Sequence, residues 1–133
     1  MAAQSRSFAL PKPTDAELAI LRVLWQRGPS TVREVMDELN RVHDTGYTTA
    51  LKLLQIMTEK GLVRRDESTR THVYEAARPA EATQQQLVRH LLDRAFGGAT
   101  HQLVMQALAA RPAAPDELAE IRRLLDQMEG RKP

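Results

Sequence analysis

There is no cysteine among the 133 residues, which removes disulfides, thiolate metal sites and cysteine nucleophiles together. No apolar run approaches the ~18 residues that cross a bilayer. The opening stretch, MAAQSRSFALPKP, lacks the continuous hydrophobic core of a signal peptide. A cytoplasmic protein without membrane insertion is expected. A large excess of one charge is missing too: 19 Lys+Arg stand against 17 Asp+Glu, a net +2. Any case for a nucleic-acid partner must therefore rest on where the charges sit.

Catalytic signatures are also lacking. The sequence holds no Gly-rich phosphate loop, no nucleophile elbow and no HExxH, and Ser30 has no evident partner base. The four histidines, His43, His72, His90 and His101, fall on a predicted loop, a predicted strand and two different predicted helices. No two of them stand at i, i+4, and that argues against a metal. His90 and Asp93 read as an exposed polar pair, and Gly97-Gly98 as a helix stop plus a turn. No enzyme, cofactor or metal centre is expected.

What is present is ordinary globular composition, 42% hydrophobic and 27% charged. The length suits one domain, or a small domain carrying an interaction segment that needs a second copy. Residues 1–13 are polar, include Pro11 and Pro13, and show no apolar periodicity, so they read as a flexible arm. Thr14 with Glu17 three residues on is a capping-box signature, and Leu18, Leu21, Val23, Leu24 and Trp25 follow until Gly28-Pro29 ends the helix. Thr31 with Glu34 repeats the box ahead of Val32, Val35, Met36 and Leu39 at i, i+3, i+4, i+7. The polar stretch 40–46 leads to a third helix over 47–60, with Ala50, Leu53, Leu54 and Met57 as its buried stripe and Gly61 as its stop.

The period then shortens toward two. Residues 62–65, a polar turn over 66–70, and 71–76 read as a hairpin with β-branched and aromatic content. The compact unit spans 14–77, and Pro79 with the Ala-rich stretch around it marks its end. Beyond it, Thr83 with Gln86 reads as a third capping box, followed by Leu87, Val88, Leu91, Leu92, Ala95 and Phe96. Leu103, Val104, Ala107 and Leu108 make a short stripe. Pro115 suits a first helical position, with Leu118, Ile121, Leu124, Leu125 and Met128 on the last amphipathic helix. These helices, within 78–130, have little of their own to bury against, so they read as half of a dimer core.

The fold class expected is therefore mainly α: an N-terminal winged helix-turn-helix of three helices plus a two-stranded wing, with a C-terminal helical dimerisation segment. Winged helices also serve as protein-interaction adaptors, and that alternative stays open here. Across 14–77 the charge is slightly acidic, but from 48 to 71 Lys52, Lys60, Arg64, Arg65 and Arg70 face only Glu59, Asp66 and Glu67. The positive side is the third helix and the wing. There, basic residues can neutralise phosphates while Thr48, Thr49, Lys52 and Gln55 reach base edges, since Gln bonds adenine bidentately and a threonine methyl packs on a thymine methyl.

The segments PTDAELAILRVLWQRGPSTVREVMDEL, GYTTALKLLQIMTEKGLVRR and THVYEA, continued by LLDRAFGG, LVMQAL and PDELAEIRRLLD, resemble the penicillinase-repressor (BlaI/MecI/CopY) family of bacterial transcription repressors. The likeness covers about residues 14–128. It implies a homodimer that binds a palindromic double-stranded DNA operator and blocks transcription. It also implies DNA contacts at Tyr47, Thr48, Thr49, Lys52, Gln55 and Lys60, with Arg64, Arg65 and Arg70 of the wing near the backbone. Ile56 stands where many members have a basic residue. Dimerisation is expected through Leu87, Leu91, Leu92, Leu118, Ile121 and Leu125. The copper-responsive branch carries C-terminal cysteines that this chain lacks. The β-lactam-responsive branch is relieved when a membrane sensor protease cuts the short helix, and the matching bond here would be near Gln106-Ala107, without the Asn-Phe-type pair of the best-known members.

Overall fold

The computed structural model describes residues 11–130. The arm expected over 1–13 lies outside the described residues up to position 10; Pro11 and Lys12 are exposed and Pro13 is buried. Helix α1 spans Asp15–Arg27, α2 Val32–Leu39 and α3 Tyr47–Lys60; strands β1, Val63–Asp66, and β2, Val73–Ala76, follow; then come α4, Ala80–Phe96, α5, Thr100–Ala110, and α6, Pro115–Met128.

Each of the first two helices starts because a threonine and a glutamate exchange hydrogen bonds across its first turn. The Glu17 N–H donates to Thr14 Oγ1 at 3.2 Å while the Thr14 N–H donates to Glu17 Oε1 at 2.9 Å. Thr31 and Glu34 repeat the geometry at the head of α2. Both boxes satisfy donors that a helix start otherwise leaves orphaned. At the other end of α3, Gly61 takes the left-handed conformation at φ 83°. Its N–H reaches the Thr58 carbonyl and the Leu62 N–H reaches Met57 at 2.9 Å, a Schellman closure that turns the chain directly into β1.

One core joins these elements. Ile20, Leu21 and Leu24 of α1, Val32 and Val35 of α2, and Ala50, Leu54 and Met57 of α3 pack with Leu62, Val63 and Tyr74. In α1 the inward face is centred on Ile20, Leu21 and Leu24, with the expected Leu18, Val23 and Trp25 only partly covered. The strands pair antiparallel, Val63 with Ala76 and Arg65 with Tyr74. Ser30 adds a short bridge on the far side of β2, exchanging backbone bonds of 2.9 and 2.8 Å with Tyr74. Tyr74, 1% exposed, is thereby held in the core from both sides. The buried Ser30 hydroxyl donates to the Gly28 carbonyl and accepts from Arg27 Nε, so its part is structural.

The contacts divide the chain into one unit through Val88 and another from Arg89. The sequence placed the boundary at 77, but in the first unit Trp25 Nε1 donates to the Arg78 carbonyl at 3.1 Å and Thr83 is buried. The capping box expected at Thr83 is corrected: α4 already begins at Ala80, after Pro79, so Thr83 is an interior residue of its first turns. In α6, Pro115 does occupy the first turn, and the Ala114 N–H donates to Glu117 Oε1 at 2.8 Å. Neither α5 nor α6 buries a single side chain. Among the described residues, no helix is long and apolar enough to cross a membrane.

Candidate nucleic-acid interface

Because Ala50, Leu54 and Met57 turn one side of α3 into the core, the 3.6-residue period points Thr48, Lys52, Gln55 and Glu59 the other way. All four are exposed, as are Tyr47 and Thr49. Ile56 lies on the flank between these faces and is partly buried, an apolar side chain at the border of the polar stripe.

Tyr47 and Leu51, one turn apart, form a ridge beside that stripe. They line a groove of about 600 Å³ whose remaining walls come from the head of α2, including its cap Thr31 and Arg33, and from the wing, including Arg70 and His72. The Arg33 guanidinium sits 5.9 Å from the centroid of the Tyr47 ring. No acidic side chain lines the groove, although residues 14–77 together carry more Asp and Glu than Lys and Arg.

The basic residues picked out from the sequence divide into two groups. Lys60 Nζ, partly exposed, donates to the buried Glu17 Oε2 at 2.7 Å. Arg64 faces Glu75 across the wing at 3.6 Å. Arg65 donates to Glu67 at 2.6 Å, and its guanidinium pKa is raised first by a hydrogen bond with the Tyr74 hydroxyl and then by Glu67. Lys52 and Arg70 have no such partner among the described residues and are exposed. Arg33 is the residue that the sequence reading missed. Its position on the outer face of an amphipathic helix is that of any solvated charge, and only the packing of α2 against α3 brings it beside Tyr47.

At the other candidate positions, Leu91 of α4 and Leu125 of α6 are about half exposed, and Leu87, Leu92, Leu118 and Ile121 are partly covered. Gln106 and Ala107 lie exposed on α5. Among the described residues, no group of His, Cys, Asp and Glu side chains could hold a metal ion.

The sequence matches the family model described as penicillinase repressor over residues 13–127. The transcriptional regulator BlaI of Mycobacterium tuberculosis is 31% identical over 116 residues, covering 86% of this chain and 83% of its own. The penicillinase repressor of Bacillus licheniformis is 24% identical over 124 residues, covering 92% and 96%. In fold, a transcriptional regulator of Thermotoga maritima matches with a TM-score of 0.50 at 16% identity, over 96% of this chain and 80% of its own. With a three-helix unit, a wing and a family match over nearly its whole length, this chain belongs to the penicillinase-repressor family of winged-helix, DNA-binding transcription repressors.

Proposed function

We propose that the chain works as a homodimer that binds a palindromic operator, α3 entering the major groove and the wing lying along the backbone, so that transcription from the covered promoter is blocked. The observation that carries this reading is the exposed stripe of Thr48, Lys52 and Gln55 on a helix whose opposite face is locked into the core. It lies on the same helix as Tyr47, which lines a groove containing arginines and no carboxylate. The names of the relatives, a transcriptional regulator and a penicillinase repressor, favour the same reading.

Dimerisation is supported by what the C-terminal helices leave uncovered. Leu91, Val104, Met105, Leu124, Leu125 and Met128 are all about half exposed or more, large apolar side chains of the kind an interface covers. A two-fold partner would cover it and fix the spacing of two recognition helices. Release by cutting near Gln106-Ala107 by a membrane sensor protease belongs to the same proposal. A helix with no buried side chain opens locally at small cost, as proteolysis requires.

Titration of the full chain on promoter DNA at several salt concentrations is the test. A repressor binds its operator in preference to random sequence, with an affinity that falls steeply as salt rises. Binding without sequence preference and flat in salt would leave only a protein-binding adaptor.

A further inference from the structure

The groove between α2, the start of α3 and the wing contains Arg33 from one element and Arg70 from another. We propose that it seats one strand of the operator backbone, with Arg33 and Arg70 gripping phosphate from two sides and Tyr47 positioning Arg33; this rests on the DNA-binding reading above.

Three observations converge. Among the described residues Arg33 makes no ion pair, although Asp37 one turn further along α2 is the partner that helix geometry offers. Its guanidinium lies over the Tyr47 ring instead. A cation–π contact with an aromatic face favours one placement of the group while its N–H donors stay available for bidentate phosphate recognition. Second, two other carboxylates nearby in sequence are occupied elsewhere: Glu34 takes Arg27 at 2.9 Å and the Thr31 N–H, and Glu67 takes Arg65. Third, Arg70 stands in a wing turn whose shape is set by its neighbours. The Ser68 N–H donates to Asp66 and the Thr69 hydroxyl donates to the Thr71 carbonyl, and the exposed Arg70 guanidinium has no ion-pair partner among the described residues.

Such a grip carries no base information and sets the register of α3 on the duplex.

The test is the salt dependence of operator binding by the intact protein, using DNA fragments selected by the wild type, with circular dichroism to check folding. Arg33→Ala and Arg70→Ala, both at exposed positions, should each lower the slope of log affinity against log salt by about one per bound chain, with the operator-to-random ratio unchanged. Tyr47→Ala should reproduce part of the Arg33→Ala loss and add nothing to it in the double variant; Tyr47→Phe, which keeps the ring, should restore it relative to Tyr47→Ala. A wild-type slope in Arg33→Ala, alongside a reduced slope in Lys52→Ala, overturns the phosphate grip and leaves the repressor reading standing. Wild-type protein without operator preference removes both.

Discussion

The ammonium of Lys60 lies 2.7 Å from Glu17, whose carboxylate is 2% exposed. One oxygen of Glu17 closes the first turn of α1 and the other receives the last residue of α3. The pair therefore ties the end of the recognition helix to the start of the first helix, across 43 residues of sequence. It also takes Lys60 out of the set of cations available to DNA.

Replacing Lys60 with Met should consequently lower stability with little effect on the salt slope. The substitution strands a buried carboxylate with only its Thr14 bonds, a loss of about 1–3 kcal/mol. Urea unfolding reads this directly. A variant as stable as the wild type whose salt slope falls by about one would show that Lys60 leaves Glu17 to meet phosphate.

Acid should unfold the protein partly through the same pair. Burial pushes the Glu17 carboxyl up, but hydrogen bonds from Lys60 and Thr14 and the charge of Lys60 outweigh it and hold the group below its ordinary 4.5. Glu34, through its Thr31 bond and despite some desolvation, and Asp66, through Ser68, are also lowered. A carboxyl with a depressed folded-state pKa binds its proton first in the unfolded chain. Its stabilisation is thus full above about 4.5 and is lost as pH falls through the folded value. Urea midpoints measured from about pH 7 down to about pH 3 should decline in that window, and less steeply for Glu17→Gln. Equal declines in both proteins would remove Glu17 from the account.

Gln55→Ala and Arg65→Ala should differ in kind. Gln55 is exposed on α3, so its loss should cost about 1–3 kcal/mol at the operator and relax base preference. Arg65 is tied to Glu67 and Tyr74, and its removal should weaken all sequences alike, by less than removal of Arg70. Competition binding with operator and random duplexes checks both. Unchanged preference in Gln55→Ala would mean that another face of α3 meets the bases.

A charge placed in the uncovered C-terminal face should separate the two functions of the chain. Leu125→Asp is expected to shift the protein to monomer in sedimentation while α1–α3 and the wing stay folded. Operator affinity should then fall by orders of magnitude, because the second half-site is no longer held at high effective concentration. A monomeric variant that binds the full operator as tightly as the wild type would disconnect this segment from DNA binding.

Much of this architecture was legible in order of residues alone. Thr14 with Glu17 and Thr31 with Glu34 mark their helix starts because a capping box is complete within four residues, and Gly61 marks a stop because the left-handed turn is a property of one residue. Thr83 misled the same reasoning: Thr-x-x-Gln fits a start, yet the helix had begun at Ala80 and packing buried the threonine instead. Periodicity likewise separated the polar stripe of α3 from its core face. It could not distinguish a cation meant for solvent from one meant for an internal carboxylate. Lys60 and Lys52 look alike in sequence, as do Arg65 and Arg70, and Arg33 looks like any exposed helix residue. Their partners stand on other elements, Glu17 on α1, Tyr74 on β2 and Tyr47 on α3. Element identity is settled by interactions spanning a few residues and is written locally; the availability of a charge depends on what folding brings within a few ångströms of it, and that was decided only by the tertiary structure.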